Sequence, residues 1–346
     1  MPLFYGNKAA HSLKTNVDFQ RSMVLRSQIA GTGSFLPERI VTNDDMSKIV
    51  DTSDQWIQER TGIQSRRFVG PTDTTSSMGI AAAKNALEAA EMPAEDIDLI
   101  VCATTTPDLT FPATATIIQA ELGIHSGAAF DVQAVCSGFV YALATADNFV
   151  KAGQANNVLV IGSESFSKIL DFTDRSTCVL FGDGAGAVVL KATETPGEKS
   201  DQGIFSTHIY SDGRYRHNLY VDGGVSTDQR TGYVKMNGQE VFRHAVENMS
   251  RAVQTALDTN GFHIDEVNWF VPHQANRRIL TAVSRRLKLP HERVISTVDH
   301  HANTSAASIP LALDESVRAG KIKSGDLLAL EAMGGGFTWG SAIVRM

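Results

Sequence analysis

The sequence predicts an α/β protein made of two copies of one plan, and two observations predict it. Short apolar runs of strand length alternate with amphipathic helical patterns along the chain. The second half repeats landmarks of the first at a nearly fixed distance.

The strands come first. Apolar runs at Asp98–Cys102, Ala128–Val132, Asn157–Gly162 and Gly184–Leu190 form one series, separated by helical patterns such as Ser76–Ala90. A second series follows at Val267–Val271, Val294–Val298, Asp326–Leu330 and Ser341–Val344. Pairing Val101 with Val271, Asp131 with Asp299, Gly153 with Gly320 and Asn157 with Asp326 gives offsets of 170, 168, 167 and 169 residues. So long a repeat is no solenoid unit. It predicts two similar halves, 24–197 and 198–346, packed about a pseudo-twofold axis with a site at their junction. Two unrelated α/β domains are the alternative.

Composition bounds the function. With 346 residues and 42% hydrophobic content the chain can bury a large core. A formal charge of −7 argues against a general binder of nucleic acid or of membrane surfaces. No window approaches the roughly 20 apolar residues of a membrane-spanning helix. The three cysteines, Cys102, Cys136 and Cys178, show no CxxC spacing and support neither a disulfide framework nor a zinc site, which fits a reducing cytoplasm. Residues 1–23 lack a continuous apolar run and are expected to be a poorly ordered extension rather than a signal peptide.

Three polar residues stand out at strand ends. Ala128–Gly138 runs from a strand through small residues into an apolar helix, which places Cys136 at a helix N-terminus. There the dipole favours a thiolate, and free N–H groups can hold an oxyanion. Cys102, inside a strand, and Cys178, beside Val179 and Leu180, read as packing. In the second half, His273 leaves one strand in Val271-Pro-His-Gln-Ala-Asn276, and Asn303 leaves the next in Asn303-Thr-Ser-Ala-Ala-Ser308. Both lie where open α/β sheets place ligands, and the repeat sets Asn303 close to the position matching Cys136. Consecutive glycines in Glu331–Gly340 let backbone approach a ligand, and one of their N–H groups could complete an oxyanion hole with Cys136. Gly182-Asp-Gly-Ala-Gly186 leads into a strand rather than a helix, so it reads as close backbone packing and not as a phosphate loop. Arginines recur at 277, 278, 285 and 286, with Lys288 after them; Arg278, Arg285 and Arg286 fall near one helical face, and Arg243 is a candidate to join them.

Carried by the Cys136 elbow, Val271–Asn276, Asn303–Ser308 and Gly334–Gly340 in that order, the chain from about Val24 onward resembles the β-ketoacyl-acyl-carrier-protein synthase III family, the initiating condensing enzymes of the thiolase-fold superfamily. The resemblance implies a thiolase-like five-layer αβαβα fold, a homodimer and a Cys136, His273 and Asn303 triad. It implies an acyl-coenzyme A primer, with acetyl-coenzyme A the expected one, and malonyl acyl carrier protein as the extender, with no metal or redox cofactor. Cys136 and Gly335 supply the oxyanion hole. Trp56 and Arg175 resemble the pair that sandwiches adenine, with Arg60 near the phosphates. Phe111 resembles a residue that reaches across the dimer to limit acyl length, and Met333 stands in the acyl pocket where an aromatic is common. Carrier docking falls to Arg243, Gln274, Arg277, Arg278, Arg285 and Arg286. Ala302 stands where the family usually has glycine, and Gln239 where asparagine is common. A priming synthase of secondary metabolism and a Cys-His-Asn thioester hydrolase remain open as alternatives.

Overall fold

The computed structural model describes residues 23–346, so the expectation for 1–23 lies outside the described residues except at Met23. A five-stranded sheet has the order Val24–Phe35, Gly184–Thr195, Asn157–Glu164, Leu99–Ala103, Ala128–Val132. A four-stranded sheet has the order Gly203–Ser211, Thr338–Arg345, Leu327–Gly334, Trp269–Pro272. In each sheet the first two pairings are antiparallel and the next is parallel. The four strands of the second sheet therefore match four of the five in the first, and the two-copy plan holds at the level of topology.

One predicted strand is missing. Val294–Val298 keeps a single parallel bridge, Phe270 to Val294, instead of a fifth strand, and Val298 begins a short helix. The reason lies in Gln274. Its Nε2 donates to the Ile295 carbonyl at 3.2 Å and its Oε1 accepts from Thr297 N–H at 2.9 Å, so a side chain takes backbone groups that a sheet ladder would use.

The layers follow from which faces are apolar. Helices Gly138–Lys151 and Ser308–Arg318 bury residues on most of their circumference, including Phe139, Leu143, Ile309 and Leu313. A helix apolar nearly all round must be covered on both sides. These two share one core with strands of both sheets, so they form the middle layer. Helix Thr75–Ala89 is amphipathic and opens on a capping box between Thr74 and Ser77; with Thr114–Glu121 it covers the outer face of the first sheet. Helices Gly238–Asn260 and Arg277–Leu287 cover the outer face of the second. The result is the five-layer αβαβα arrangement. Gly162 lets the middle layer seat, since a Cβ there would lie 2.3 Å from the Ala306 carbonyl oxygen. The expected close packing at Gly182–Gly186 is also present: a Cβ at Gly186 would lie 2.7 Å from Leu311 N.

Candidate active site

Both middle-layer helices are entered through the same backbone device. A 3₁₀ turn, Val135–Ser137, precedes Gly138–Lys151, and a 3₁₀ turn, Ser305–Ala307, precedes Ser308–Arg318. Each turn starts on a non-glycine residue with left-handed φ, +49° at Val135 and +51° at Ser305. This equivalence pairs Cys136 with Ala306, so Asn303 sits three residues before the position matching Cys136. Strain of this kind persists only where surrounding packing enforces it, and it gathers at functional sites.

Cys136, His273, Asn303, Met333 and Gly334 line the buried part of one cavity of about 590 Å³, whose wall extends to the exposed Arg60 and Arg278 and includes Trp56, Gln239, Phe242 and Ile279. Gly334 lets the glycine turn press on the nucleophile's backbone, since a Cβ there would lie 2.6 Å from Cys136 N. Gly335 follows it, and a Cβ there would lie 2.8 Å from the Leu219 carbonyl oxygen.

His273 leaves strand Trp269–Pro272, held by its N–H to the Glu331 carbonyl at 2.7 Å. Burial pushes its imidazole down to about 3, so the ring is neutral at physiological pH. Nδ1 lies 2.7 Å from Ser308 Oγ, which accepts the Gln274 N–H at 3.3 Å. The pair fits the tautomer in which Nδ1 accepts the serine proton and the ring's own proton resides on Nε2. Asn303 is pinned by its backbone in a bridge to Phe181, its N–H donating to the Leu180 carbonyl at 3.0 Å and its carbonyl accepting Gly182 N–H at 2.9 Å. Its Oδ1 accepts Ser305 N–H at 2.9 Å, so the network leaves the Nδ2 hydrogens as the donors to the cavity. Two neutral N–H donors and a thiol thus meet in one pocket.

The thiol itself departs from expectation. The helix start was expected to favour a thiolate, but burial pushes the Cys136 thiol up to about 12. Desolvation is the largest influence, ahead of the opposing Ser305 hydroxyl and backbone N–H, so the proton must be moved when the sulfur reacts. Cys102 and Cys178 are buried, their thiols also raised by desolvation, and neither lines the cavity.

Trp56 carries two guanidinium groups over its ring, Arg60 at 4.5 Å and Arg175 at 5.1 Å. Phe111 is 83% exposed and outside the cavity of its own chain. Arg277, Arg278 and Arg285 line a surface depression beside the cavity, with Arg278 shared by both. Arg286 is exposed nearby on the same helix, and Arg243 is tied to Glu240 at 2.5 Å. Gln274 is a correction: it is fully buried, its amide held by the Pro272 and Ile295 carbonyls and Thr297 N–H, so it offers nothing to a docking partner. Ser305, Ser308 and Glu164 form the polar surroundings that the sequence motif contained without revealing their roles. Elsewhere His300, His301 and Glu315 bring possible ligand atoms within 4.8 Å of one another, and the contacts are accounted for by ion pairing of both rings with Glu315. No helix among the described residues is long and apolar enough to cross a membrane.

Comparison with known proteins agrees with this geometry. Residues 130–213 match the family model described as 3-oxoacyl-[acyl-carrier-protein (ACP)] synthase III, and residues 257–346 match the model of its C-terminal part. The β-ketoacyl-[acyl-carrier-protein] synthase III of Rhodospirillum centenum is 62% identical, over 93% of this chain and 100% of its own. The crystal structure of 3-oxoacyl-[acyl-carrier-protein] synthase III from Aquifex aeolicus superposes with a TM-score of 0.87 at 46% identity, covering 92% of this chain and 100% of that one. The priming β-ketosynthase of the R1128 polyketide pathway gives a TM-score of 0.87 at 35% identity, covering 93% and 96%. With this agreement of sequence, fold and cavity, the chain belongs to the β-ketoacyl-acyl-carrier-protein synthase III family of acyl-transferring condensing enzymes.

Proposed function

We propose that this chain joins an acyl-coenzyme A primer, acetyl-coenzyme A first among them, to malonyl acyl carrier protein by decarboxylative condensation through an acyl group on Cys136. The observation that carries the reading is the single cavity in which the Cys136 thiol meets His273 and Asn303, both fixed as neutral N–H donors.

Cys136 sulfur attacks the primer thioester, and the N–H groups of Cys136 and Gly335 hold the tetrahedral oxyanion until coenzyme A leaves. The malonyl thioester then enters. Loss of carbon dioxide builds negative charge on its thioester oxygen, and His273 Nε2–H and Asn303 Nδ2–H stabilise that charge as donors. A protonated histidine is not needed for this, and a low imidazole pKa keeps the donor neutral. The enolate carbon attacks the acyl-cysteine, giving the β-ketoacyl carrier and freeing Cys136. A hydrolase would need water at the acyl-cysteine; the buried end of the cavity, closed by Met333, Phe181 and the glycine turn, favours a carbon nucleophile over bulk water.

Trp56 and Arg175 hold the adenine and Arg60 the phosphates. Insertion of a ring between Trp56 and Arg175 requires their separation to widen toward about 7 Å, twice a normal contact distance. Met333 bounds the acyl group from within. Phe111, outside its own cavity, is placed to serve a second copy, which supports a homodimer. The exposed arginines 277, 278, 285 and 286, with Arg243 behind Glu240, form the carrier-docking face. The halves divide at 197/198, and the enzyme works in the cytoplasm. The likeness to the R1128 priming ketosynthase favours one second reading, priming of a secondary-metabolite chain with another acyl group. Mass spectrometry of the Cys136 adduct over a panel of acyl-coenzyme A donors, with free acid and β-ketoacyl carrier both quantified, tests the proposal. Free acid as the main product would overturn it.

A further inference from the structure

Cys136 has to lose a proton before it can be acylated, and His273 cannot take it. In the tautomer that the proposed condensation requires, the Nδ1 lone pair of His273 is engaged by Ser308 and Nε2 already carries hydrogen. A helix end can stabilise a thiolate but accepts no proton. The acceptor must therefore be sought elsewhere around the thiol.

Near Cys136 lie two buried groups, each with an oxygen that no backbone or side chain satisfies. Ser305 is fully buried, and its Oγ closes no well-formed hydrogen bond. Glu164, at the end of strand Asn157–Glu164, is fully buried too; its Oε2 accepts from Thr105 N–H at 3.0 Å and Thr106 Oγ1 at 2.9 Å, while Oε1 has no partner. The Ser305–Ala307 turn packs against both the Val135–Ser137 turn and the end of strand Asn157–Glu164, which brings the Ser305 hydroxyl near the Cys136 thiol and the Glu164 carboxyl without a well-formed hydrogen bond to either. Ser305 is held there by its left-handed backbone, φ +51°, with its N–H committed to Asn303. Two buried oxygens without a partner beside one thiol need an explanation, because such groups are normally paired.

We propose that Glu164, acting through the Ser305 hydroxyl, is the proton acceptor that activates Cys136. The inference rests on Cys136 being the acylated nucleophile. As sulfur attacks the thioester, the S–H bond breaks and its proton passes to Ser305 Oγ, while the serine proton passes to Glu164 Oε1. The sulfur pair forms the new S–C bond, and coenzyme A departs as thiolate, which takes a proton from solvent. In the condensation half-reaction Cys136 leaves as thiolate and regains its proton from Glu164 by the reverse path. One solvent proton is consumed per turnover, which balances the loss of malonyl carboxylate as carbon dioxide. Glu164 touches no substrate and is a positioning residue; in the relay Ser305 stands between it and the reacting sulfur.

Burial lifts the Glu164 carboxyl to about 7, which suits a group that must both accept and return a proton near neutrality. The titratable groups near it are thiols, Cys136 from the 3₁₀ turn and Cys102 from the neighbouring strand; Asp108 and Asp131 act on Cys102, and Asp183 is spent on Ser167 and Val69. None is a cation, so no partner holds Glu164 ionised.

The opposing account is that Glu164 acts by charge alone, in which case its anion only raises the thiol and removing it would speed Cys136. The two accounts differ in sign. Rates of Cys136 alkylation by iodoacetamide and of acylation by acetyl-coenzyme A should be measured from pH 5.5 to 9 in the wild type, Glu164→Gln, Glu164→Asp and Ser305→Ala. The expected result is a wild-type inflection near neutral pH, a loss of about tenfold or more with the inflection displaced to alkaline pH in Glu164→Gln and Ser305→Ala, and partial recovery in Glu164→Asp. Alkylation at or above the wild-type rate in Glu164→Gln overturns the relay; if that variant does not fold, an unchanged profile in Ser305→Ala overturns it. Failure of wild-type acylation while alkylation keeps its inflection would count against the proposed substrate and not against the relay.

Discussion

Ser308 Oγ lies 2.7 Å from His273 Nδ1, across 35 residues of chain. The hydroxyl also accepts the Gln274 N–H, and on the proposed mechanism its own hydrogen goes to Nδ1, so that Nε2 keeps the ring proton. Ser308 is the first residue of a middle-layer helix, so the imidazole is oriented from the interior of the fold.

Ser308→Ala should therefore slow malonyl decarboxylation by about tenfold, the equivalent of ~1.4 kcal/mol, while sparing acylation of Cys136. Without the donor, Nδ1–H and Nε2–H forms compete and the fraction able to donate to the thioester oxygen falls. Single-turnover assays of each half-reaction check this, and equal loss in both would refute it.

His273→Ala and Asn303→Ala should each cost about 10²–10³ in decarboxylation, as expected for removing one donor from a developing oxyanion, and far less in acyl transfer. Since both donors face one oxygen, the double variant should lose less than the product of the single losses. Stopped-flow measurement of carbon dioxide release from malonyl carrier is the readout.

Ala302 has φ +59° and ψ −158°, a backbone conformation that suits glycine. The residue directly precedes Asn303, so its strain is borne at the site. Ala302→Gly should raise stability by about 1 kcal/mol, the relief of strain exceeding the added chain entropy of glycine. A melting temperature unchanged or lowered would contradict this.

Glu331 is fully buried, neither of its carboxyl oxygens has a protein partner, and desolvation raises it well above the ordinary carboxylate range. The folded chain then keeps a proton that the unfolded chain releases above about pH 4.5. Folding stability from this group is full below that pH and declines as pH rises toward the folded value, by roughly 1.4 kcal/mol per unit. Glu331→Gln removes the decline, so its melting temperature relative to wild type should rise between pH 5 and pH 7.5. A difference independent of pH would show that Glu331 is ionised in the fold.

How much of this was legible in the sequence depends on whether the signal was local. Alternating apolar runs gave seven of the eight strands read from the second to the last pattern, because a buried strand needs only a short run of small and branched residues. The eighth, Val294–Val298, has the same composition and fails to pair because Gln274 occupies its neighbours, a contact across 21 residues that no window detects. The same buried amide explains why Gln274 looked like a docking residue: it sits beside exposed arginines in sequence but points into the sheet edge. Cys136, His273 and Asn303 were legible because each follows a strand end. Glu164 was not, since a glutamate closing an apolar run reads as the exposed end of a strand, and only the fold shows that the end is covered by the Ser305 turn.

Arg278 carries the last prediction because it belongs to two surfaces. It lines the cavity that holds Cys136 and also the depression formed with Arg277 and Arg285, and its guanidinium lies 5.8 Å from the Phe242 ring. Arg277 is partly spent on the Gly62 carbonyl at 3.1 Å and Arg243 on Glu240, which leaves Arg278 and Arg285 as the exposed cations of that depression. An acidic carrier approaching a chain of net charge −7 needs such a local positive patch. Arg278→Glu should raise KM for malonyl carrier by about tenfold at low salt and by less as salt is added, because screening weakens an exposed contact. Acylation by free acyl-coenzyme A should change little, and Arg285→Glu should follow the same pattern more weakly. Equal impairment with both substrates would place Arg278 in the shared cavity rather than on the docking face, and a salt-independent loss would remove electrostatic steering as its role.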